Sequence, residues 1–135
     1  MSEHTPKTPF DLLGEDTVRR LVTRFYDHID DREPALARLH TVDEHGHVTP
    51  DVRERFTRFL TEWLGGPEVY SPVNGHPRLR MRHAKLPIDP SMRDAWLRCM
   101  ENALDDVGVA GDLRAKLDAR VAEVADNLRN RAASE

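Results

Sequence analysis

Apolar residues recur along this chain at spacings of three and four, the period of a helix with one buried face. Val18, Leu21, Val22, Phe25 and Ile29 predict a first long helix from about Glu15 to Asp30, with Tyr26 at the stripe's edge. Phe10, Leu12 and Leu13 form a short apolar lead-in that Gly14 ends. A helical turn over Pro34 to Leu39 and a polar loop over Thr41 to Val48, carrying His45, Gly46 and His47, follow. Thr49, Pro50 and Asp51 supply a cap, a first-turn proline and a favourable charge for a second long helix. Its inner face is Val52, Phe56, Phe59, Leu60 and Trp63, and Gly65-Gly66 stops it. Gly65 to Gly75 reads as an ordered loop and Pro77 to His83 as a brief helix. Asp89 then caps a third long helix whose stripe is Met92, Ala95, Trp96, Cys99, Met100, Ala103, Leu104 and Val107. Beyond Gly108 and Gly111 a last helix runs from about Asp112 to Asn130, with Leu113, Leu117, Val121, Val124 and Leu128 inward. No strand-like alternation bounded by hairpin dipeptides appears, so the class is all-α.

The chain has 135 residues, which suits a single domain over 10–130 between a flexible polar start at 1–9 and a tail at 131–135. Residues 1–9 lack the basic start and apolar run of a signal peptide, and no stretch is long and apolar enough to span a bilayer. Cys99 is the lone cysteine, so an internal disulfide is excluded and a cytoplasmic setting is expected. A net charge of −4 gives no global reason to expect nucleic acid as a partner.

One local feature stands out against that balance. Arg78, Arg80 and Arg82 crowd ahead of His83, in a connector of some twenty residues between the second and third long helices. Compact domains rarely spend so much irregular backbone without a functional reason. Leu79, four residues before His83, points the imidazole toward the core. A neutral histidine beside a cationic rim suits ligation of haem iron, with arginines neutralising propionates. A histidine capping a helix end, beside solvated arginines, fits the same spacing, and pattern alone leaves both readings open.

The other candidates are weaker. Packing accounts for Phe25, Phe59 and Trp63, whereas Tyr26 and Trp96 each bring a donor that needs a partner when buried. Two such donors facing one cavity could hold a diatomic or an oxyanion, although packing also explains them. His45 and His47, near His40, lack the cysteines or spaced carboxylates of a metal clip and read as solvated loop residues. Cys99 reads as a small core residue. No phosphate loop or nucleophilic triad is present.

The segment Gly75-His76-Pro77-Arg78-Leu79-Arg80-Met81-Arg82-His83 resembles the haem-ligating segment of group II truncated haemoglobins. Arg24-Phe25-Tyr26, Trp63-Leu64-Gly65-Gly66-Pro67 with Tyr70, and Arg93 to Met100 agree with the same family in order and spacing, covering about residues 10 to 108. The resemblance implies an abridged globin, a two-over-two helical sandwich enclosing haem b, and thereby accounts for the irregular connector. It implies His83 as proximal ligand, Tyr26 and Trp96 as distal donors, His40 as a neighbour of the Tyr26 network, and Val52 and Phe56 over the iron. Arg55, Arg82 and Tyr70 match positions that meet the propionates, and Phe59, Leu79, Leu86 and Met100 complete the implied haem contacts. The chain departs from the family pattern in the apolar Val52, in Lys85-Leu86 where a Pro-Phe pair is usual, and in a longer loop over Thr41 to Val48.

What the resemblance implies is binding of O2 or a related diatomic, NO or CO, at a His-ligated iron. The alternative is a haem-dependent redox enzyme, a nitric oxide dioxygenase or peroxidase-like protein, drawing on an external reductase because the chain has no flavin motif. A haem-free helical interaction module is the reading from a third class. A second copy of the chain, as a homodimer, is compatible with all three; nucleic acid and membrane are not expected partners.

Overall fold

The computed structural model describes residues 7–74 and 89–128. Helices account for its regular structure, and the single β-bridge among the described residues joins Val42 to Val48. The all-α expectation holds.

The helix α1 spans Pro9–Leu13 and opens with a capping box, in which Thr8 Oγ1 accepts from the Asp11 amide and the Asp11 carboxylate accepts from Thr8. Thr8 and Pro9, assigned from sequence to a flexible start, are therefore built into the fold. The helix α2 spans Glu15–Arg32, two residues beyond the expected end, and Pro34 limits it. Its buried face holds Val18, Leu21, Val22, Phe25, Tyr26, His28 and Ile29. The short α3, Pro34–Ala37, turns the chain toward a loop closed by the Val42–Val48 bridge. Val48 anchors that loop by being buried and Val42 is half-buried, while Thr41 and the stretch from Asp43 to His47 stand in solvent.

The helix α4 spans Pro50–Trp63; Thr49 precedes it, but the Thr49 side chain makes no capping bond. The stretch expected to be an irregular loop contains a helical turn, α5, at Ser71–Asn74. Glu62 nucleates it: the carboxylate accepts from the Ser71 amide at 3.0 Å and from the Ser71 hydroxyl. The helix α6, Pro90–Asp106, begins as expected with the Asp89 carboxylate accepting from Met92 N at 2.9 Å. Val107 falls at its C-cap rather than within it. The helix α7 spans Gly111–Leu128, with positive φ at Gly108 and Gly111 in the connection. The brief helix expected over Pro77 to His83 lies outside the described residues.

Two layers result. The helices α2 and α4 pack together, α6 and α7 form the second pair, and α2 lies across α6 as the main contact between layers. Val18, Phe25 and Ile29 of α2 meet Cys99, Ala103 and Leu104 of α6 in one core cluster, with Leu117 and Val121 of α7 beneath. At the far edge of this seam His28 Nε2 sits 2.7 Å from the Asp106 carboxylate, to which Arg24 Nε also donates at 3.0 Å. Those bonds satisfy a buried imidazole and hold the Asp106 carboxyl below its ordinary range, the His28 contact contributing most.

Candidate functional site

The face of α4 decides what the two layers enclose. Periodicity places Val52, Phe56, Phe59, Leu60 and Trp63 on one inner face, and the resemblance implies site roles for Val52, Phe56 and Phe59. Leu60 is buried in the core, whereas the other four remain only half-buried. The side chains α4 commits most fully to protein contact include Thr57 and Thr61. Each threonine hydroxyl donates to the carbonyl four residues back, at 2.9 and 2.8 Å, so burial leaves no hydroxyl unsatisfied. The aromatic stripe is thereby turned onto a cavity of about 460 Å³. That volume lies within the roughly 300–1,000 Å³ of small-molecule sites.

Every long helix contributes to the wall. Tyr26 comes from α2, Val52, Arg55, Phe56, Phe59 and Trp63 from α4, Trp96 and Met100 from α6, and Leu117 and Val121 from α7. His40 and Tyr70 enter from the connecting segments. Phe25, buried behind the wall, organises it: its ring lies 5.0 Å from Tyr26, 5.5 Å from Phe56 and 5.4 Å from Trp96, the last at 74°. Phe56 stacks on Phe59 at 6.0 Å, and Phe59 meets Tyr70 edge-on at 5.5 Å. Such pairs add about 0.5–1.5 kcal/mol each beyond area burial, enough to hold half-buried rings in place.

The polar groups on this wall are few. Tyr26 is 3% exposed, and burial raises its phenol well above the ordinary tyrosine range while Arg53 and Arg55 oppose the shift weakly. The hydroxyl therefore stays protonated and able to donate across the whole working range of pH. His40 packs edge-on to Tyr26 at 5.6 Å, and its Nδ1 lies 3.1 Å from the Leu36 carbonyl, which suits the tautomer protonated at Nδ1. Trp96, which carries an indole N–H, and the exposed Arg55, which carries a cation, are also lining residues.

The chain matches the bacterial-like globin family over residues 8–130. The chain belongs to that family. It is 36% identical over 127 residues to the group 2 truncated hemoglobin YjbI of Bacillus subtilis, covering 94% of this chain and 92% of that protein. Its structure resembles the group II truncated hemoglobin of Bacillus anthracis with a TM-score of 0.88 at 35% identity, over 97% of each chain. A truncated oxygen-avid haemoglobin from Bacillus subtilis superposes with a TM-score of 0.82 at 35% identity, over 92% of this chain and all (100%) of the other. The group II truncated resemblance and the two-over-two sandwich are thus both established for this globin.

Of the residues singled out from sequence, Tyr26, His40, Val52, Arg55, Phe56, Phe59, Tyr70, Trp96 and Met100 converge on the one cavity. His83, Leu79, Arg82 and Leu86 lie outside the described residues, as do Arg78 and Arg80. His45 and His47 are exposed at their loop tip with rings 6.4 Å apart, and among the described residues no cluster suited to a metal ion occurs. Cys99 is buried at the α2–α6 seam, where loss of water pushes its thiol up to about 11, a poor nucleophile. Among the described residues no helix is long and apolar enough to cross a membrane.

Sequence reasoning missed two groups. Leu117, Val121 and Val124 line the cavity, although their spacing marks them only as an apolar face. Arg53 of α4 carries no functional signal in the sequence, yet it joins Asp27 and Asp30 of α2 beside the Tyr26 ring. Its only sequence signal is a cation one residue from an expected lining position, too common to single out.

Proposed function

We propose that this globin holds haem b in the aromatic cavity and binds O2 or a related diatomic at an iron ligated by His83. The observation that carries the reading is the half-buried stripe of α4, a set of large apolar side chains that the fold leaves facing a cavity. The lining fits a flat apolar group with an anionic edge. Phe56, Phe59, Met100, Leu117 and Val121 offer apolar contact, while Arg55 and Tyr70 bring a cation and a phenol. On this reading His83, Leu79, Arg82 and Leu86, which the family resemblance implies as haem contacts, complete the set. The group, when bound, supplies a Lewis-acidic iron to which a diatomic ligand attaches.

This chain's own residues then set the conditions. Val52 and Phe56 present no polar atom and exclude water. Tyr26 and Trp96 offer the cavity an O–H and an N–H, and a partly anionic ligand is held by such donors. The solved relative described as oxygen-avid supports O2 as the ligand to test first.

The deciding experiment is the visible spectrum of purified protein after reconstitution with haem. An intense Soret band is expected, and His83→Ala should lose it or shift it to the spectrum of a different axial ligand. Lack of a Soret band in the parent protein would overturn the reading and leave the haem-free interaction module.

A further inference from the structure

Arg53 follows Val52 in the first turns of α4, and its side chain is only 23% exposed. All three edges of its guanidinium are in use. Nε donates to the Val48 carbonyl at 3.1 Å, Nη1 to the Asp27 carboxylate at 3.1 Å, and Nη2 to the Asp30 carboxylate. The Asp30 side chain is 6% exposed, and its other oxygen accepts the Val48 N–H at 3.0 Å. One ion pair therefore grips both polar groups of the Val48 backbone and joins three segments: α2, the end of the 41–48 loop, and α4. The guanidinium carbon stands 5.6 Å from the centroid of the Tyr26 ring.

The energetics argue against plain stability as the reason for this arrangement. Desolvation consumes most of what a buried pair gains by attraction, and well-packed apolar residues often do as well. What an arginine fork supplies in addition is fixed direction, because its donors lie in one rigid plane. Here that plane is locked between two carboxylates and a carbonyl, and it backs the phenol ring that faces the cavity. Among the described residues the surface pair of Arg98 with Glu33, by contrast, stands over no aromatic ring.

We propose that Arg53 is a positioning residue for the ligand-facing wall, setting the orientation of Tyr26 and its spacing from Val52. The inference rests on the proposed haem-ligand reading for its functional consequence, but the orientation of Tyr26 is testable without haem. Lysine cannot replace the arginine, since one ammonium cannot span Val48, Asp27 and Asp30 in a single plane.

The test crosses Arg53→Met and Arg53→Lys with Tyr26→Phe in the haem-reconstituted protein, reading O2 dissociation by stopped flow. Both Arg53 variants should speed dissociation by at least about fivefold, the equivalent of one modest hydrogen bond. In the Tyr26→Phe background the same changes should alter the rate by less than about twofold, within ordinary additivity. Equal acceleration in both backgrounds would reduce Arg53 to a brace with no link to the phenol. Ring-labelled tyrosine NMR of the haem-free protein gives the second readout. The Tyr26 resonance should move in Arg53→Lys while that of Tyr70 stays, and an unmoved Tyr26 would overturn the proposal whether or not haem binds. If Arg53→Met does not fold, Asp27→Asn removes one of the three contacts from its more exposed side and should shift the same resonance less far.

Discussion

Individual side chains on the cavity wall have separable duties. Phe25 is not one of the residues lining the cavity, yet three wall rings lean on it. Trp96 packs edge-on against Phe25 and is also a cavity-lining residue that carries an N–H, so its ring contact and its donor can be altered separately. Trp96→Phe keeps the ring contact and deletes the donor. Loss of such a bond is worth about 1–3 kcal/mol, or about a five- to a hundredfold faster O2 dissociation. Stopped-flow measurement of that rate checks it, and an unchanged rate would remove Trp96 from ligand retention.

Among the elements, the Gly65-Gly66 turn after α4 does more than end a helix. A Cβ on Gly66 would stand 2.6 Å from the Phe10 ring, and Phe10 N donates to the Leu64 carbonyl at 3.0 Å, so α1 docks where only hydrogen fits. Gly66→Ala should destabilise by about 1–3 kcal/mol through overpacking. Thermal unfolding measures it, and the penalty should largely vanish in a Phe10→Ala background; persistence there would point away from the ring. The tie between α4 and α5 is electrostatic instead. Hydrogen bonds from Ser71 hold the Glu62 carboxyl below its ordinary range, the hydroxyl contributing most. A depressed carboxyl contributes stability that is present above its unfolded value, about pH 4.3, and is lost as pH falls through the lower folded value. Denaturant titrations of Glu62→Gln between neutral pH and pH 3 should therefore show a shallower loss of stability than the parent. Parallel curves would mean the Ser71 bonds do not favour the charged form.

For the molecule as a whole, the cavity is where protein contacts alone leave large apolar side chains half-buried. Along the half-buried faces of Phe56, Phe59 and Trp63 the protein supplies only part of the dispersion contact those rings can make. A ligand that binds only the folded state adds about 2.7 kcal/mol at a hundredfold excess over its dissociation constant. Stoichiometric haem should raise the Tm of the parent protein markedly and that of His83→Ala much less. Equal increases would mean that haem is held by apolar contact without His83. The same principle explains why α2 and α6 carry the fold: their seam, from Val18 to Ile29 and from Ala95 to Leu104, is closed without any guest.

How much of this was legible in advance follows from the range of each interaction. Helix periodicity and capping are local, so the stripes of α2 and α6, the Asp89-Pro90 start and the all-α class could be read directly from neighbouring residues. Tyr26, Trp96 and His40 were legible only as candidates, because a buried polar aromatic looks the same in a core as in a site. Residue order alone establishes which faces are apolar and, through family likeness, which positions matter. That α4 turns Thr57 and Thr61 inward and its aromatics onto a cavity emerges when the helices pack, since an apolar stripe serves core and cavity equally well. Tertiary packing also decides the Arg53 clamp, whose partners Asp30 and Asp27 lie 23 and 26 residues away in the chain and meet it only when α2 and α4 pack.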